Sequence, residues 1–136
     1  MLSDLDPCVA SEFVFFTNRL ADELHANSRA HGFWNDVEEI ENLLPESLQA
    51  RFHAMMLGEK CALAHSEISE ALEVIRKDPN APDRDCPEFT ALEIEHADTI
   101  IRILEVGAHE GHRIAEAIVA KARFNRNRPF KHGKMS

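Results

Sequence analysis

Residues 48 to 77 read as one long helix whose apolar stripe is interrupted by acids. Phe52, Met56, Leu63 and Val74 fall along one line, and Glu67 and Glu70 fall on it too. A helix turns about 100° per residue, so positions i, i+3, i+4 and i+7 share a face. The segment ALEIEHADTIIRIL repeats the arrangement: Glu95 and Asp98 stand three apart, flanked by Ile94, Ala97 and Ile101. Four carboxylates meeting inside a helical core would repel one another and lose hydration, a cost relieved only by protonation or by bound cations. An all-oxygen donor set of this kind selects hard divalent ions, above all Mg²⁺ with Mn²⁺ as its substitute. One acidic pair alone reads better as a solvated helix edge; two pairs on the apolar stripes of consecutive long helices favour a metal centre.

The remaining chain supports helices and little else. At 136 residues it is one domain, 1–136, with a basic tail over about 126–136. A first helix is expected from Ser11 as N-cap, with Phe13, Phe16, Leu20 and Leu24 on one face and a stop near Gly32. GFWND is a turn, and DVEEIENLL is a short helix ending at Pro45, which opens the long helix. Gly58 is a candidate bend or division of that helix. KDPNAPDRDCPEF is a loop. A further helix runs from about Glu88 to Val106, closed by Gly107, and a last one from about Gly111 to Asn127, stopped by Pro129. The expected architecture is all-α, a four-to-five-helix bundle. Phe13, Val14, Phe15 and Phe16 cannot all face inward, so pairing with a second copy, a homodimer, is expected.

Three cysteines, Cys8, Cys61 and Cys86, show neither a CxxC nor a zinc spacing and read as reduced thiols of a cytoplasmic protein. No apolar run approaches the ~20 residues of a membrane span, and the N-terminus lacks the basic and apolar regions of a secretory signal. The net charge of −9 is uneven: residues 121 to 136 carry +6, leaving −15 on the rest. An acidic body repels a nucleic-acid polymer but suits a small anion held between metal-loaded acids and a basic end. On the last helix Ile114, Ile118, Lys121, Asn125 and Arg128 share one face, and its polar half is suited to phosphate oxygens. Arg126, Lys131 and Lys134 each read singly as a solvated tail.

ExxE at Glu67 and Glu70, ExxD at Glu95 and Asp98, and KARFNRNRPFKHGK together resemble the MazG-like all-α nucleoside triphosphate pyrophosphohydrolases, relatives of dCTP pyrophosphatase and dimeric dUTPase. The likeness covers residues 13 to 134. It implies hydrolysis of a (d)NTP between the α- and β-phosphates to (d)NMP and pyrophosphate. It also implies a catalytic centre of Glu67, Glu70, Glu95 and Asp98 with two or three Mg²⁺ ions, in a dimer or dimer of dimers. Phosphates fall to Lys121, Asn125 and Arg128, with Lys134 and Lys131 as weaker candidates. His25, nine residues before Trp34, resembles the base-holding pair of the dCTP-hydrolysing members. For Trp34 a core position is an equal reading, and His25 alone reads as a surface histidine. The base is left open, with (d)GTP one possibility because some viral members act on guanine nucleotides. The family's EExxE has Ser66 in place of its first acid, which leaves the general base unassigned.

Two other classes compete. A non-catalytic helical interaction module would keep the bundle without turnover. A carboxylate di-iron bundle would use Glu93-x-x-His96, but needs a second ExxH that the sequence lacks.

Overall fold

The computed structural model describes residues 5–128, and within them the chain is all-helical, with no strand. Five helices follow in order: α1 (Pro7–Ala30), α2 (Asn35–Leu43), α3 (Glu46–Lys77), α4 (Ala91–Glu110) and α5 (Ile114–Arg126). None is long and apolar enough to cross a membrane.

Helix α1 begins earlier than its Ser11 start. Asp6 is the N-cap, its carboxylate accepting from the backbone N–H of Cys8 at 2.8 Å and Val9 at 3.4 Å, with Pro7 in the first turn. Capping oxygen plus proline outcompetes Ser11, whose hydroxyl donates instead to the Cys8 carbonyl. The face that α1 buries is also different. Ala10, Ala21 and Ser28 are buried, while Phe13, Phe16 and Leu20 stay exposed. Small residues let α1 approach its neighbours closely, and the bulky stripe is left outside.

Helix α3 is continuous for 32 residues, about 48 Å at 1.5 Å per residue. Gly58 does not divide it; one interior glycine costs only about 1 kcal/mol. Thr90, not Glu88, opens α4: its side chain accepts from the Glu93 N–H, and Glu93 accepts from Thr90 in return, a reciprocal capping box. The helix passes through Gly107 and ends at Gly111, whose φ of +66° is the left-handed conformation that glycine favours. The connection between α3 and α4 is irregular apart from an isolated bridge between Pro82 and Thr90.

Helix α4 is central, packed on both α3 and α1; α5 lies on α1, and α2 on α3. Trp34, Val37 and Met56 form the buried cluster, with Phe52, Leu57 and Val106 around it. Polar ties fasten the same junction. The His53 ring nitrogen Nε2 lies 2.7 Å from both Glu110 carboxylate oxygens, joining α3 to the end of α4.

Candidate metal centre and cleft

Helices α3 and α4 bring three of the four expected carboxylates together. One oxygen from each of Glu67, Glu95 and Asp98 lies within 4.8 Å of the other two. Glu67 is only 7 % exposed, the one buried acid among the described residues. Glu70 stands outside this trio. Three residues on from Glu67 it has turned some 60° toward the edge of the face, and it is exposed. It remains near enough for its charge to act on Glu95.

The electrostatics follow from burial and crowding. Glu95 is pushed above its ordinary value of 4.5, first by loss of hydration and then by the charges of Glu70, Glu67, Asp98 and Asp83. Asp98 is raised by burial and by Glu67, with Arg102 opposing the rise. Crowded carboxylates that resist ionisation gain from a cation. The donor set fits a divalent ion. All three donors are carboxylate oxygens, the ligand type that Mg²⁺ and Mn²⁺ take.

Arg102 completes the centre. Four residues after Asp98, it donates from Nε to Glu67 Oε1. Beyond it opens a cleft of about 460 Å³, walled by Glu67 and Asp98 at one end and by Phe33 and Trp34 among its other lining residues, with Arg102, Glu105 and Lys60 also in the wall. That is within the usual size of a small-molecule pocket, about 300–1,000 Å³. A larger groove of about 900 Å³ between α1 and α5 is mostly apolar and includes none of the trio. The chemistry, not the volume, identifies the site.

The aromatic end is divided in its roles. Trp34 is 2 % exposed. The His109 ring stacks on it at 4.2 Å between centroids, and the Lys60 ammonium lies 4.2 Å from its centre. His25 meets its edge at 4.8 Å. Burial, first, and the neighbouring charges of His109 and Arg29 hold His25 below its ordinary value, and its Nδ1 is buried without a hydrogen-bond partner. His25 and Trp34 are thus brought together, Trp34 in the buried cluster and His25 half-buried beside it. Phe33, 74 % exposed and on the cleft wall, is the aromatic face open to a ligand.

Lys121, Asn125 and Arg128 are exposed and none lines the cleft. Within one chain the structure does not bring them to the carboxylates. The Lys121 ammonium lies 4.8 Å and the Arg128 guanidinium 5.9 Å from the Phe124 ring. Lys131 and Lys134 fall outside the described residues. Ser66 donates its hydroxyl to the Leu63 carbonyl of its own helix. Glu93, the acid of the ExxH motif, is engaged in capping α4.

Sequence reasoning missed Arg102, Glu105, Lys60 and Phe33. Comparison with known proteins finds no matching family model, no matching curated protein and no matching solved structure.

Proposed function

We propose that this chain is a Mg²⁺-dependent nucleoside triphosphate pyrophosphohydrolase of the MazG-like type, converting a (d)NTP to (d)NMP and pyrophosphate. The observation that carries the reading is the convergence of Glu67, Glu95 and Asp98, two of which, Glu67 and Asp98, line a cleft that also holds Arg102, Lys60 and an exposed aromatic ring. A triphosphate ligand needs these elements: acids for divalent cations, cationic donors for phosphate oxygens, and a flat apolar surface for a base.

Glu67, Glu95 and Asp98 would hold the cation. A divalent ion there supplies Lewis-acid neutralisation of the phosphoryl oxygens and makes water nucleophilic at neutral pH. Arg102 and Lys60 bind phosphate oxygens from the cleft wall. Phe33 stacks on the base. Glu70, outside the trio and free in solvent, accepts the proton of the attacking water on its carboxylate and takes the role that Ser66 cannot fill. A second copy of the chain brings its own Lys121, Asn125 and Arg128 and covers the exposed stripe of α1.

The test is a panel of the common ribo- and deoxyribonucleoside triphosphates with Mg²⁺, scored separately for pyrophosphate and orthophosphate. Magnesium-dependent pyrophosphate release is expected. Orthophosphate as the product, or no turnover of any nucleotide by folded protein, would overturn the reading. In the second case the exposed apolar stripe of α1 favours a non-catalytic helical interaction module.

A further inference from the structure

We propose that Arg102 is an exchangeable counter-ion: it holds Glu67 while no divalent cation is bound, and turns to the ligand's phosphates once a cation takes that carboxylate. The inference rests on the reading of Glu67, Glu95 and Asp98 as a cation site and adds to it a device that couples the two halves of the ligand.

The geometry gives the two partners unequal freedom. The Glu67 side chain is 9 % exposed and the Arg102 side chain 39 %. Glu67 is fixed by the packing of α3 on α4, whereas Arg102 borders the cleft and has open space to move into. A divalent cation bound by the trio contests the same Glu67 carboxylate that the guanidinium now occupies. Two positive groups cannot share it at close range, and the doubly charged ion in a three-carboxylate set is the stronger competitor. The displaced guanidinium then lies in a cleft with one further cation, Lys60, and two further acids, Glu59 and Glu105. Without an anionic ligand it rests against Glu105. With a triphosphate present, its planar fork of donors matches two phosphate oxygens.

Exchange of this kind makes cation and phosphate binding mutually reinforcing, since each ligand removes an obstacle to the other, and linkage requires the effect to be reciprocal. It also gives Arg102 a signature that a merely structural arginine lacks. Removing it should help the bare cation and harm the anion.

The experiment is calorimetric titration of the full chain. Mn²⁺ is titrated alone, then a non-hydrolysable nucleoside triphosphate at saturating Mn²⁺, into wild type, Arg102→Gln and Arg102→Lys. Arg102→Gln should bind Mn²⁺ alone about tenfold more tightly than wild type, and the triphosphate about tenfold more weakly, within the range usual for coupled sites. Arg102→Lys, which keeps the charge and packing but not the fork, should bind Mn²⁺ like wild type and the triphosphate more weakly. Mn²⁺ affinity that is unchanged or lower in Arg102→Gln would overturn the exchange, as would unchanged triphosphate affinity in both variants. If folded wild type, Arg102→Gln and Glu67→Gln all fail to bind Mn²⁺, the carboxylate site itself is refuted and the inference falls with it. Mn²⁺ binding lost only in Glu67→Gln keeps the site and leaves Arg102 to be judged by the other two comparisons.

Discussion

Gly107 and Ile114 approach so closely across the turn joining α4 to α5 that a Cβ on Gly107 would lie 2.8 Å from Cγ1 of Ile114. Nothing lies within 4 Å of the equivalent position on Gly58. Both glycines are inside helices, where alanine is intrinsically favoured by up to about 1 kcal/mol. Gly107→Ala is therefore expected to lower stability by about 1–3 kcal/mol, because overpacking exceeds the propensity gain. Gly58→Ala should raise stability by about 0.5–1 kcal/mol. Urea denaturation of the two variants measures both signs, and a stabilising Gly107→Ala would contradict the close packing.

The same pair of glycines shows what the sequence could not tell. Gly107 and Gly111 stand four apart at the end of an apolar pattern, and either can close a helix. Only the position of Ile114 decides that the first is a packing contact and the second the left-handed cap. The α1 start was misjudged for a related reason: a serine followed by an apolar run resembles a cap, but Asp6 before Pro7 is the stronger one. The helices themselves were legible because their period is long and repeated. So was the convergence of Glu67, Glu95 and Asp98. Arg102 and Glu105 follow Asp98 by four and seven residues, and Lys60 precedes Glu67 by seven, so all three shared the carboxylate faces. That signal was present and unread. The burial of Trp34 was one of two equal readings, because the groups that pack on it, His109 and Lys60, are distant in the sequence.

Glu105 gives the chain a pH dependence with a definite sign. Burial pushes its carboxyl above the ordinary 4.5, while the Ser28 hydroxyl, Arg102 and Lys60 oppose the rise. The folded state thus keeps this proton to higher pH than the unfolded state does. Between the unfolded and folded pKa values the folded chain binds more protons, so this group's contribution to stability falls as pH rises through that window and stays low above it. Glu105→Gln removes the ionisation. Without ligands it should be at least as stable as wild type at neutral pH, and the difference should shrink as the solution is acidified through the carboxylate range. Thermal unfolding of the two proteins across pH tests this, and a difference that grows on acidification would reverse the assignment.

Glu67 and Glu70, alike in sequence, should behave unequally in function. Glu67 belongs to the converging trio and Glu70 does not. Glu67→Gln or Asp98→Asn should abolish both Mn²⁺ binding and turnover. Glu70→Gln should retain Mn²⁺ binding and lose about 10²–10⁴-fold in activity, the usual contribution of a general base. Circular dichroism would show whether each variant keeps its helices. Equal loss of Mn²⁺ binding in Glu67→Gln and Glu70→Gln would place Glu70 among the ligands and leave the proton acceptor unassigned.

The exposed stripe on α1 leads to an expectation about assembly. Val9, Phe13, Phe16 and Leu20, spaced four, three and four residues apart, are 57 %, 39 %, 64 % and 49 % exposed. Self-association through α1 would remove this apolar stripe from water at about 25 cal/mol per Å². Sedimentation at micromolar concentration is expected to show a dimer or larger. Phe13→Glu combined with Phe16→Glu should shift the protein toward monomer while leaving the helical content intact, because neither side chain is in the buried cluster around Trp34. A wild-type monomer under those conditions, or a double variant that still dimerises, would show that this stripe is not the interface.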